Sequence, residues 1–263
     1  MRVFGEARLI GRMPGPVKCH ANMANIVALR MQCRISILAY TRIARLGTAR
    51  RLVMDQAVLD FAVARTMMVD GQIRPNKVTD PRIIAAMRDV ARERFLPPAL
   101  ASLAYVDIEV DLGAGRVLPQ PMATARLMQL AELRQGDRVL VIGAGPGYSA
   151  ALLAACGAVV TALDTIQGIV STGVTWATGP LAAGWAAGGP YDLILIDGAV
   201  AQFPSDLAAQ LAPNGRLVGV QVSHGIGRAM HGIAVGGSLR VVAAFDCNAP
   251  LLPGLGHIAG FVF

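Results

Sequence analysis

The chain has 263 residues, enough to bury a full core within one domain. It is 54% hydrophobic and only 5% aromatic, yet no run approaches eighteen uninterrupted apolar residues, which argues against a membrane span. The formal charge of +7 comes from residues 1–53, with ten Lys/Arg against one acid; the rest holds fourteen against sixteen, so the basic balance is no sign of nucleic-acid binding.

Cys19, Cys33, Cys156 and Cys247 show neither metal-like pairing nor a disulfide framework, and a reducing compartment, the cytoplasm, is the expectation. Residues 1–20 have little periodicity. A helix is possible over residues 21–46, with Arg30, Arg34, Arg42 and Arg45 among Ile26, Leu29, Ile37 and Leu38. A cationic amphipathic or targeting segment is one reading of residues 1–53. The other is an extension ahead of the true start, because composition switches near Met54. Residues 54–263 then read as one domain: a helical part and loop to residue 133, and a sheet from 134.

Residues 55–68 predict a helix, which Gly71 and Pro75 are expected to break. Thr79 or Asp80 can cap the next helix with Pro81 at its first position. Ile83, Met87 and Val90 mark its apolar face, and it must stop by Pro97-Pro98. A short helix over 99–103 and an edge strand or hairpin arm over 105–112 follow. Gly113-Ala114-Gly115 is a loop, and Pro119-Gln120-Pro121 leads into a helix from Ala123 to about Leu133.

Gly136 to Asp164 reads as a β-α-β unit. Val139 to Ile142 form a short β-branched strand, Gly143, Gly145 and Gly147 a tight turn, Tyr148 to Cys156 a small-residue helix, and Ala158 to Leu163 a second strand ending in Asp164. Glycines let the backbone approach a ligand, and an acid at the second strand tip can accept hydrogen bonds from ribose hydroxyls. The pattern points to a nucleoside-bearing cofactor. Thr175 to Ala177 is a further strand candidate. Tyr191 to Asp197, Arg216 to Val222 and Leu239 to Asp246 are strands, with a helix at 205–211 and a turn at 213–215. His224 and His231 lie in a glycine-rich loop or hairpin, Cys156 reads as core, and the apolar tail can dock on the core. The fold class is α/β, a Rossmann-like, mostly parallel sheet flanked by helices.

MVDGQIRP (Met68 to Pro75), ERF (Glu93 to Phe95), Ala104-Tyr105, GAGRVLPQP (Gly113 to Pro121), GDRVL (Gly136 to Leu140) and IGAGPGY (Ile142 to Tyr148) occur in one order. That order resembles the protein-L-isoaspartate O-methyltransferase family, whose members are class I methyltransferases. The resemblance implies S-adenosylmethionine as cofactor and, as substrates, proteins or peptides bearing isoaspartyl residues, whose free carboxylate is esterified. The chain is expected to be a monomer. By carry-over, Gly143, Ala144, Gly145, Gly147 and Tyr148 line the cofactor, Asp164 holds its ribose hydroxyls, and Asp197 faces the crevice from the tip of its strand.

Three departures from the family pattern stand out. The family's loop reads Gly-x-Gly-Gln-Thr-Ile-Ser-Gln-Pro, whose serine hydroxyl orients the reacting carboxylate; here Gly113, Gly115, Gln120 and Pro121 match, but Pro119 takes the serine position. Proline offers neither hydroxyl nor N–H, which leaves Arg116 and Gln120 as candidate substrate contacts. Val141 replaces an acidic residue before the glycine turn. About ten residues separate Asp164 from the next strand, too few for a crossover helix, and Gly179-Pro180 replaces a Gly-Asp pair on the adenine side. These departures keep two further readings open, a methyltransferase with another acceptor and a non-catalytic accessory protein. An NAD-linked oxidoreductase fits less well, since Tyr148 and the loop argue against it.

Overall fold

The computed structural model of this chain describes residues 60–113 and 116–256. The basic extension, its possible helix over 21–46, loop residues 114–115 and the last seven residues lie outside them. Asp60 caps helix α1 (Phe61–Met68), accepting from the N–H groups of Ala62 (3.0 Å) and Val63 (3.2 Å). Gly71 does not break this helix as expected. The chain continues as a π-helical turn, Val69–Ile73, and a 3-10 turn, Arg74–Asn76, ending on Lys77 in the left-handed region. Val69 and Ile73 stay fully buried across the change of pitch, so burial of that face outweighs the poor helix propensity of glycine. Asp80 caps α2 (Pro81–Asp89) through the Arg82 N–H at 2.8 Å. Val90, expected on that helix's face, is instead its extended C-cap.

Two 3-10 segments, Arg92–Phe95 and Pro98–Leu103, lead to a separate antiparallel hairpin of β1 (Val110–Gly113) and β2 (Arg116–Leu118). Helix α3 (Pro121–Leu130) follows, then β3 (Arg138–Ile142), α4 (Tyr148–Ala155), β4 (Val159–Asp164) and β5 (Val174–Thr178). The remaining strands are β6 (Tyr191–Val200), β7 (Leu211–Ser223), β8 (Ile226–Val235) and β9 (Ser238–Asp246). They form one seven-stranded sheet in the order β5-β4-β3-β6-β7-β8-β9. The five strands from β5 to β7 are parallel, and β8 and β9 add antiparallel. The α/β expectation holds. The expected helix at 205–211 is a 3-10 segment, Ser205–Gln210, and of the loop or hairpin expected around His224 and His231 the hairpin forms, from β7 and β8. His224 sits in the β7–β8 turn at positive φ, and His231 lies within β8.

Alternation along the strands divides the core. Val139, Val141, Val160, Leu193, Leu195 and Val218 face a cluster that contains buried residues of all four α-helices. Leu140, Ile142, Ile194, Ile196 and Leu217 face the other way, against 3-10 residues Leu181 and Leu207 and tail residues Leu252 and Leu255. A buried ion pair ties the helical layer to the sheet: Arg216 on β7 bonds Asp137 at 2.5 Å and donates to the carbonyls of Ala131, Glu132 and Asp192. No helix among the described residues is long and apolar enough to cross a membrane.

Candidate active site

The strand order reverses between β3 and β6, and in open parallel sheets the crevice beyond that point is where ligands bind. The glycine turn forms one wall of it. Gly143, Gly145 and Gly147 all have positive φ (74°, 57° and 99°), which side-chain-bearing residues adopt only with strain. The Leu163 carbonyl accepts from the N–H groups of Gly143 (2.9 Å) and Ala144 (3.2 Å), pinning the turn to the end of β4. Tyr148 opens α4 and faces the core. Arg92 stacks over its ring at 4.7 Å, Phe95 meets it edge-on at 5.4 Å, and burial pushes its hydroxyl up to about 12.

Asp164 sits at the tip of β4 with its side chain wholly buried. Its carboxylate accepts from the N–H groups of Gly145 (2.7 Å) and Thr165 (2.6 Å) and pairs through both oxygens with the guanidinium of Arg116. Burial acts to raise its pKa, but Arg116 and the two N–H groups outweigh that and hold the carboxyl below its ordinary value. Asp164 is therefore held as an anion.

Asp197 lies in β6 where the register with β7 shifts, between Leu195 and Ala199. The strand runs on to Val200 rather than ending at this acid. Burial pushes the Asp197 carboxyl up to about 6, against the pull of the neighbouring Ser149 hydroxyl and Arg92 guanidinium. Arg92 is itself fully buried, and burial lowers its pKa. It donates to the carbonyls of Ala104 (2.8 Å) and Pro119 (2.6 Å), while its Nη1 has no partner among the described residues. Sequence reasoning missed Arg92, because the alternating charges of Arg92-Glu93-Arg94 look like a solvated surface run. Here it anchors the loop that carries Pro119. Gln120 is half-buried at the start of α3, its carbonyl accepting the Thr124 N–H at 3.2 Å. Cys156 is core, and burial pushes its thiol up to about 11.

The short connection after Asp164 contains no helix, yet β5 still pairs parallel with β4 from Val160↔Val174 to Asp164↔Thr178. Residues 165–173 manage this by folding back over the glycine turn. The Ile169 N–H reaches the Pro146 carbonyl at 2.9 Å, and Trp176 Nε1–H reaches the Ile169 carbonyl at 3.3 Å. A Cβ at Gly168 would stand 2.7 Å from the Gly145 oxygen, so only glycine permits this approach.

These groups suit a ribose-bearing cofactor. A buried acid stands at the strand tip, and Gly143 and Gly198 leave a notch free of their own side chains. Two other side chains of this chain occupy that space. Arg116 holds Asp164, and Leu252 fills the notch, 2.6 Å and 2.7 Å from where Cβ atoms of residues 143 and 198 would stand. Both are the ends of flexible side chains, one on the hairpin and one on the tail.

The sequence model of the protein-L-isoaspartate(D-aspartate) O-methyltransferase family (PCMT) matches residues 64–230, well over half of the chain. The chain belongs to that family. A protein-L-isoaspartate O-methyltransferase of Methylorubrum extorquens is 39% identical over 174 residues, covering 62% of this chain and 76% of the relative. Another of that name, from Rhodopseudomonas palustris, is 37% identical over 183 residues, covering 65% and 74%. A solved protein-L-isoaspartate O-methyltransferase superposes with a TM-score of 0.63 at 24% identity, over 73% of this chain and 67% of the other. A putative family enzyme of Plasmodium falciparum, solved in complex with S-adenosyl-L-homocysteine, gives 0.61 at 17%, over 72% and 97%. At these identities the superpositions speak for the fold alone. In the loop, Pro119 is buried, and Arg116 crosses to Asp164.

Proposed function

We propose that this chain transfers the methyl group of S-adenosylmethionine to the free carboxylate of isoaspartyl residues in damaged proteins, acting as a monomer in the cytoplasm, with residues 54–263 as the catalytic domain. One observation carries the reading. In a chain matched to the family over residues 64–230, a fully buried Asp164 stands at the strand tip, bonded to the N–H of Gly145. When bound, S-adenosylmethionine supplies a methyl carbon already activated by a sulfonium.

Little acid–base chemistry is then asked of the protein. A lone pair of the acceptor carboxylate forms the new O–C bond, the C–S electron pair stays on sulfur, and no proton moves. Catalysis is alignment and exclusion of water. Asp164 would hold the ribose hydroxyls, Gly143, Gly145 and Gly198 would let the ligand lie against the backbone, and Asp197 would border the crevice from β6. Arg92, through the Pro119 carbonyl, fixes the acceptor loop against α4.

Pro119 favours a second reading, a methyltransferase with another acceptor. Calorimetric titration with S-adenosylmethionine, followed by assay on an isoaspartyl peptide, separates the two. Binding with transfer is expected. Binding without transfer would select the second reading, and absence of binding at millimolar ligand would overturn both.

A further inference from the structure

Arg116 is the feature that the proposed reaction, on which this inference rests, does not yet use. Its guanidinium takes both carboxylate oxygens of Asp164 and lies beside the glycine turn, Nη2 standing 3.6 Å from where a Cβ of residue 145 would be. Only 14% of its side chain is exposed. The ribose hydroxyls of the cofactor need the same two oxygens, so the cofactor and Arg116 compete for Asp164. A guanidinium displaced within the crevice is a poorly hydrated cation that needs another anion. The second substrate brings one, the carboxylate to be methylated, and Pro119 in the same loop offers it neither a hydroxyl nor an N–H.

We propose that Arg116 is the acceptor-carboxylate receptor of this enzyme, stored on Asp164 until the cofactor displaces it. A planar guanidinium matches the two oxygens of an isoaspartyl carboxylate as it matches those of Asp164. Each acceptor oxygen keeps a further lone pair for attack on the methyl carbon. Binding is ordered as a result, cofactor before acceptor. Methylation converts the held anion to a neutral ester, so the guanidinium loses that partner and returns to Asp164 as the demethylated cofactor departs.

The test compares the wild type with Arg116→Met and Arg116→Lys in the full chain. S-adenosylhomocysteine affinity is measured by calorimetry without peptide, and then kcat and KM for an isoaspartyl peptide are measured at saturating S-adenosylmethionine. Loss of the competing cation in R116M is expected to tighten S-adenosylhomocysteine binding about fivefold or more, while peptide KM rises roughly tenfold or more and kcat changes far less. R116K keeps the charge without the bidentate geometry, and its peptide KM is expected to lie between the two. If R116M loses its cooperative melt, R116K alone decides through its KM. An unchanged peptide KM in the variants, with normal turnover in the wild type, would overturn the role of Arg116 and leave the proposed reaction standing. Weaker S-adenosylhomocysteine binding in R116M and R116K alike would overturn the competition and make Arg116 a positioning group for Asp164. A wild type that neither binds S-adenosylhomocysteine nor methylates the peptide would overturn the reaction itself.

Discussion

Asp164 and Asp197 are both buried acids in one crevice, and their surroundings drive them in opposite directions. Asp164 is stabilised as an anion by a guanidinium and two N–H groups. Asp164→Ala is expected to weaken S-adenosylmethionine binding roughly tenfold or more, since charge-assisted hydrogen bonds contribute about 1.5–3 kcal/mol; calorimetry reads this directly, and unchanged affinity would remove Asp164 from the site. Asp197 has no such cation in contact, and burial raises its carboxyl from 3.8 to about 6. Between those values the folded chain holds a proton that the unfolded chain releases, so stability falls as pH rises through the window and levels off above it. Asp197→Asn should therefore stabilise the protein at pH 7 by on the order of 3 kcal/mol and have little effect near pH 3.5, as urea titrations at the two pH values would show. The sequence places Asp164 at its strand tip, because strand ends are legible from hydrophobic runs, but not Asp197, since β6 continues past it to Val200. It could not pair Asp164 with Arg116, a contact across 48 positions that depends on how a hairpin lies over the sheet.

At the scale of elements, the β-α-β unit was readable almost to its boundaries. Its strands are buried on both faces, and a continuous apolar run is enough to mark them. The connection from β4 to β5 was readable only as a shortage of residues. What replaces the missing helix is a backbone approach between Gly168 and Gly145 with Trp176 packed over it. Gly168→Ala would press a methyl group against the Gly145 carbonyl, which cannot yield as a side chain can. The variant is expected to lose about 1–3 kcal/mol of stability in denaturant titration, and a wild-type midpoint would show that this loop does not rest on the turn. The π-helical turn at Val69–Ile73 was not legible in the sequence, and the region of β8 read equally as loop or hairpin, for a common reason. Glycines at 71, 227 and 232 signal a break locally, whereas burial of Val69 and Ile73 and pairing of β8 on both edges supply the stabilisation.

Among the described residues, helices α1 to α4 gather on one face of the sheet, while 3-10 turns and residues of the tail cover the other. From β7, Arg216 links the end of α3 to β6 and to Asp137 just ahead of β3, and losing it would strand Asp137 as an uncompensated buried charge. Arg216→Ala is expected to destabilise the chain by about 3–5 kcal/mol in urea unfolding, where a loss below 1 kcal/mol would contradict a structural role for the pair. The same sheet carries the glycine turn, Asp164 and Asp197, the groups on which the proposed reaction rests. Methyl transfer from labelled S-adenosylmethionine to an isoaspartyl peptide, with the matching aspartyl peptide as control, tests it most directly. A base-labile methyl ester is expected on the isoaspartyl peptide alone; no transfer to either peptide at saturating cofactor would contradict the proposed reaction.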